Sequence, residues 1–160
     1  MRLARLFAVI LVLGCAHSPA PAPGPRPLGG NADLARGEAR LSVRFSYEVA
    51  SAHSLALLVD LDASGTGSVG TVEIAMVPDG FTIGGPARWS GELAAGNGKQ
   101  LRFPLHVIAD KVARVTITHG IAGAPANDPV VFRFLVEDDE IRACQASEEA
   151  CKEPGSSPAP

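Results

Sequence analysis

The chain has 160 residues, of which 46% are hydrophobic, 19% charged and 5% aromatic, with a formal net charge of −3. That length suffices for one domain with a sizeable core. The lack of a basic excess and the scarcity of aromatic rings exclude the electrostatic footprint and the stacking platforms on which nucleic-acid binding depends.

The first fourteen residues, MRLARLFAVILVLG, set Arg2 and Arg5 ahead of an apolar run from Leu6 to Leu13. A charged start and a short apolar core have the layout of a secretory signal peptide, and the run is too short to span a bilayer as a helix. It is also apolar all round, unlike a helix that packs one face on a core. Val12-Leu13-Gly14-Cys15 resembles the lipobox of bacterial lipoproteins, which places a small residue before the cleaved bond and a cysteine after it. The resemblance implies that Cys15 is the mature N-terminus and the lipid attachment site, with the membrane as a partner. Several acyl chains, each buried methylene contributing about 0.8 kcal/mol, hold a domain on a bilayer firmly. Ala16, in place of an acidic residue, implies sorting to the outer membrane where the host has one.

Residues 16 to 32, AHSPAPAPGPRPLGGNA, are rich in Pro, Ala and Gly and have no hydrophobic period. This composition favours extended polyproline II, at about 3.1 Å per residue. The expected organisation is a signal peptide over 1–14, a lipidated tether over 15–34, a folded domain over 35–152 and a disordered tail over 153–160.

Alternation dominates the domain. Leu41, Val43, Phe45, Tyr47 and Val49 share one parity, as do Leu55, Leu57, Val59 and Leu61, then Val72, Ile74 and Met76. Leu101, Phe103, Leu105 and Val107 follow, then Val115 and Ile117, and finally Val130, Phe132, Phe134 and Val136. A period of two, broken by Gly, Pro, Asn and Asp, predicts half-buried antiparallel strands. Adding short strands near Pro86 to Leu93 and Glu140 to Cys144 gives about seven or eight. The expectation is an all-β, immunoglobulin-like or fibronectin type III-like antiparallel sandwich. Pro104 has no amide hydrogen, so it belongs on an edge or on the unpaired side of its strand. Trp89 is expected as a core plug or an edge cover.

Between two of these strands lies Asp60-Leu-Asp-Ala-Ser-Gly-Thr-Gly-Ser-Val-Gly70. Asp60, Asp62, Ser64 and Gly65 fit the first, third, fifth and sixth places of a calcium loop, but Thr71 stands where a bidentate glutamate closes the shell. Asp, Ser and Gly also suit a hairpin turn. Both readings stay open: a strand connection, or a calcium site on Asp60, Asp62 and Ser64.

Residues 77 to 109 carry Pro78-Asp79-Gly80-Phe81, then Trp89, Gly91 and Leu93 in a Trp-x-Gly-x-Leu element, then a Gly-rich turn and an alternating strand. This cadence resembles the immunoglobulin-like modules of bacterial surface proteins, of the conserved-repeat and CARDB (cell-adhesion-related) kind. The resemblance implies adhesion, spacing or protein contact, with an envelope protein or polysaccharide as partner.

Catalytic constellations are hard to assemble. His53 and Ser54 are adjacent, with Asp60 on the same strand, but neighbours on a strand project to opposite faces, so this Ser and His cannot act as nucleophile and base. His106 is expected to face outward beside Arg102, and His119 to continue the inward series of Val115 and Ile117, each as a surface or rim residue. No GxSxG, HExxH or P-loop motif occurs. A hydrolase with a dispersed site is the weakest alternative to a non-catalytic envelope protein.

Seven acidic residues (Glu137, Asp138, Asp139, Glu140, Glu148, Glu149, Glu153) crowd the C-terminal segment against Arg142 and Lys152. They read as a solvated face. With Cys15 assigned to lipid, Cys144 and Cys151 remain, an even pair in an exported chain, and a disulfide is expected. Seven helical residues span about 10.5 Å, too far for a disulfide, so the bridge also forbids a continuous helix between the two cysteines.

Overall fold

A computed structural model of the chain describes residues 24–137, 140–145, 148 and 151. The signal-peptide reading, Cys15, Asp138, Asp139, Glu149, Lys152, Glu153 and the tail lie outside the described residues.

Among the described residues, ten strands form two antiparallel sheets. They are β1 (Arg26–Arg36), β2 (Ala39–Ser51), β3 (Ser54–Ser64), β4 (Ser68–Asp79), β5 (Phe81–Ile83), β6 (Arg88–Ala94), β7 (Gly98–Val107), β8 (Val112–Ile121), β9 (Val130–Glu137) and β10 (Glu140–Ala143). The first sheet has the order β1-β2-β3-β7-β5 and the second β10-β9-β8-β4-β6. The chain crosses between the sheets in the middle of the sequence, so that β7 pairs with β3 and β8 with β4. The fold is the expected all-β, immunoglobulin-like sandwich, with ten strands in place of seven or eight.

The parity read from the sequence is the parity of burial. Leu41, Val43, Phe45 and Tyr47 of β2 face Ile74 and Met76 of β4, Val115 and Ile117 of β8 and Phe134 of β9 in a single core. Phe134 meets Tyr47 and Phe81 edge-on, at centroid distances of 5.4 and 5.7 Å. Edge-to-face contacts of this kind add about 0.5–1.5 kcal/mol each to the burial of the rings.

The domain starts earlier than the composition suggests. β1 occupies residues 26–36, most of it in the stretch 15–34 expected to be tether, and its register with β2 shifts between Leu28 and Ala32. Arg26 lies opposite Tyr47 and Arg36 opposite Ala39. β1 therefore enters at the end of the sandwich that carries the β2–β3 turn and leaves at the end that carries the β3–β4 loop.

Pro104 sits inside the first sheet, between β3 and the end of β5. Its carbonyl accepts from Gly84 N at 2.9 Å, on the side away from β3. In an antiparallel ladder the N and C=O of one residue point the same way, so its missing amide costs no bond to β3. Trp89 is an edge cover: it packs against the core from β6, at the rim of the second sheet.

Candidate functional site

The residues Asp60, Asp62 and Ser64 all lie in β3, which runs through Ser64, so the connection to β4 shrinks to Gly65-Thr66-Gly67. Alternate residues of a strand share a face but stand about 6.7 Å apart, which spreads their oxygens along a line instead of wrapping them round an ion. Each carboxylate also has a cross-strand partner. Gln100 Nε2 donates to Asp60 Oδ1 at 2.8 Å, and Arg44 Nη2 lies 3.7 Å from Asp62 Oδ2. The structure thus does not gather the three into a shell. Gly65 serves the turn: its φ is +87°, and a Cβ there would stand 2.1 Å from the carbonyl oxygen of Glu38. Thr66 then ties the loop to the β1–β2 turn by donating to Glu38 Oε2 at 2.6 Å.

Among the described residues, one group of potential metal ligands converges: Cys144, Glu148 and Cys151. Its two sulfurs are joined as the expected disulfide, with Cα atoms 6.0 Å apart. The bridge closes a small clasp against β9 and β10. Cys144 N donates to Arg133 O at 2.8 Å, and Glu148 Oε1 lies 2.6 Å from Arg142 Nη2 while its Oε2 accepts from Gln145 N at 2.7 Å. The hydrogen bond from Arg142, and then that from Gln145, hold the Glu148 carboxyl below its ordinary range, and the same ion pair pushes Arg142 up. The Glu148 part of the acidic cluster is therefore a structural tie.

The described histidines, His53, His106 and His119, do not converge. His119 is buried, edge-on to Phe45 at 6.1 Å, and its Nδ1 has no hydrogen-bond partner among the described residues. This corrects the rim placement expected for it, although its inward direction is as the alternation predicts. His106 is exposed on the outer face of the first sheet, directly opposite Ser54. Ser54 bonds instead to Ser51, Oγ to Oγ at 2.7 Å. His53 lines an open groove of about 870 Å³ with Ile108, Asp110, Lys111, Leu135 and Glu137, at the end of the sandwich where β1 enters. The groove sets His53 among the side chains of Asp110, Lys111 and Glu137, whereas Ser54 is held by Ser51, and Asp60, six residues along β3, by Gln100.

The alternation pattern alone does not reveal the outer face of the first sheet. Ala56 and Leu58 point outward by parity and stand apart from the core cluster, yet they are only 2% and 1% exposed. Glu48 of β2 lies beside Ala56 and Arg102 of β7 beside Leu58, and these two charged groups bond to each other across β3. The ion pair and its aliphatic stems form a roof over two apolar side chains. Asp33 with Ser42 and Asp60 with Gln100 add further polar cross-strand ties on the same face.

What the geometry defines is a disulfide-clasped β-sandwich whose first sheet carries cross-strand polar pairs on its outer face. The chain matches no protein-family model and no curated protein.

Proposed function

We propose that this is a lipid-anchored cell-envelope protein whose sandwich performs no catalysis and binds or spaces another envelope component. The observation that carries the reading is the succession of a charged and apolar leader, Gly14-Cys15, a proline-rich segment and one small sandwich. The polarity of β1 supports it. The ten residues between Cys15 and Arg26 lead into the end of the sandwich bearing the His53 groove. In polyproline II they would reach about 30 Å. The opposite end, with the Gly37-Glu38 turn, the Gly65-Thr66-Gly67 loop and residues 122–129, then points away from the membrane and presents the contact surface.

Labelling cells with a radioactive fatty acid tests the anchor. The full chain takes up label and Cys15→Ala does not; equal labelling of both overturns the reading. Cross-linking in intact envelopes then tests the partner, with recovery of one envelope component through the distal loops as the expected result.

A further inference from the structure

Four strands form the rims of the two sheets, and three of them are blunted against further pairing. β5 has 3 residues. β10 has 4 and runs directly into the disulfide clasp. β1 contains the register shift between Leu28 and Ala32 and is led in by Pro25 and Pro27. Short length, bulges and proline are the usual ways in which a sheet edge avoids templating another strand. β6, with the 7 residues Arg88-Trp-Ser-Gly-Glu-Leu-Ala94, is longer than β5 or β10, holds no proline or lysine and pairs with β4 in unbroken register from Arg88 to Leu93; the register shift of the pair lies beyond, where Ser68 and Gly70 of β4 stand opposite Ala94 and Leu93.

The backbone of β6 sets which groups are free. Met76 N donates to Ala87 O at 2.8 Å, so the residues in step with Ala87, namely Trp89 and Gly91, turn their N–H and C=O towards β4. Arg88, Ser90 and Glu92 turn theirs outward, away from the sheet. Their side chains are exposed on its outer face. Arg88 and Glu92 take part in no ion pair among the described residues.

We propose that the β6 edge is a self-association surface: two copies of this chain pair antiparallel through β6, with Ser90 on the two-fold axis. That register is the one in which the outward backbone groups meet. Ser90 exchanges two hydrogen bonds with the second copy's Ser90, and Arg88 exchanges two with Glu92 at each end. The same register sets the Arg88 guanidinium against the second copy's Glu92 carboxylate, twice, as an isologous interface requires. It also sets Trp89 opposite the second copy's Gly91 in the pair where side chains approach most closely. Gly91 has no side chain to obstruct this, and the Trp89 ring already lies so close over the Gly91 of its own strand that a Cβ would stand 2.5 Å from Cζ2. Two five-stranded sheets thereby become one continuous ten-stranded sheet. The interface is independent of the lipid anchor.

The test uses the full chain in detergent, with Ser90→Cys to trap the pair and Ser64→Cys, exposed at the end of β3, as control. The paired Cα atoms would stand about 5.5 Å apart, within the roughly 4.4–6.8 Å that a disulfide needs. Mild oxidation is expected to give a reducible dimer at Ser90→Cys and only background at Ser64→Cys. In the Ser90→Cys background, Arg88→Glu or Glu92→Arg alone sets like charges opposite each other and lowers the yield about ten-fold, while the double exchange restores it to within about three-fold. Equal trapping at positions 64 and 90 overturns the proposal. So does a double exchange no better than the single ones, because it would show that Arg88 and Glu92 do not face each other.

Discussion

The phenol oxygen of Tyr47, in β2 of the first sheet, accepts a hydrogen bond from the backbone N–H of Ala143, in β10 of the second, at 3.1 Å. The residues lie 96 positions apart, and the bond joins the sheets at the end of the sandwich where the chain enters and the disulfide clasp closes. Arg26 sits over the same ring, 6.0 Å from its centroid. Tyr47→Phe keeps the ring against Phe134 but leaves the Ala143 amide without its acceptor. A loss of about 1–2 kcal/mol is expected in urea denaturation, with an unchanged m-value. A loss below about 0.3 kcal/mol would mean that water replaces the hydroxyl at no cost.

Glu148 gives the clasp an acid-sensitive tie. Its carboxyl is held below the ordinary 4.5 by the hydrogen bond from Arg142 and then by that from Gln145. A carboxyl depressed in the folded state contributes stability that is present above the unfolded value and is lost as pH falls through the folded one. Stability of the full chain should therefore decline below pH 4.5, and Glu148→Gln should flatten that part of the curve. Denaturation midpoints across the acid range check this; parallel curves for the two proteins would show that the tie carries no pH dependence.

The roof over β3 predicts that Arg102 acts through its stem as much as its charge. Leu58 is 1% exposed although it lies on the outer face, and Arg102 covers it while bonding to Glu48. A half-exposed ion pair contributes little after solvent screening. Arg102→Ala uncovers Leu58 and is expected to cost about 1 kcal/mol, most of it still present in 1 M salt, whereas Arg102→Met recovers much of the loss. If the cost disappears in high salt, the charge pair and not the cover is what matters.

Much of this fold is legible in the alternation, and the exceptions have physical causes. The inward series of β2, β3, β4, β7, β8 and β9 can be read from the sequence because each sheet buries one face and leaves the other polar. β1 escapes because Pro25, Pro27, Gly29 and Gly30 are residues that strands usually avoid, and only Leu28 of its first half is buried. A rim strand needs hydrogen bonds on one side only, which is why it tolerates them. The roofed pair Ala56 and Leu58 escapes for another reason: the apolar run from Leu55 to Val59 looks the same whether its second face meets a core or a neighbour's arginine. The calcium reading of Asp60, Asp62 and Ser64 fails to see Arg44 and Gln100, which come from β2 and β7 and are linked to β3 only by register.

That register leads to a direct expectation for calcium. With Asp60 bonded to Gln100 and Asp62 beside Arg44, the melting midpoint of the full chain should not move between chelator and 10 mM calcium at constant ionic strength. A folded-state site with a dissociation constant of 1 mM would add about 1.4 kcal/mol under those conditions, an effect easily seen by calorimetry. A rise of that size would require Asp60 and Asp62 to leave their present partners.

His119 yields a prediction of the opposite kind, in which removing a polar group improves the fold. Its ring is buried against Phe45, its Nδ1 has no hydrogen-bond partner among the described residues, and its neighbour Asn127 bonds to the backbone carbonyl and not to the ring. Burial lowers its affinity for a proton below the ordinary 6.5. The unfolded chain therefore binds a proton that the folded chain refuses. Stability is full above pH 6.5 and is lost as pH falls towards the depressed folded value. His119→Phe keeps an aromatic ring at the site and removes both the unpaired nitrogen and the titration. It is expected to raise stability at pH 7 by about 1 kcal/mol, and by more at pH 5.5, so that the two proteins diverge as acid is added. Urea midpoints at the two pH values check it. A constant difference between the proteins would show that His119 finds a proton acceptor or a water within the core, and that its burial carries no pH dependence.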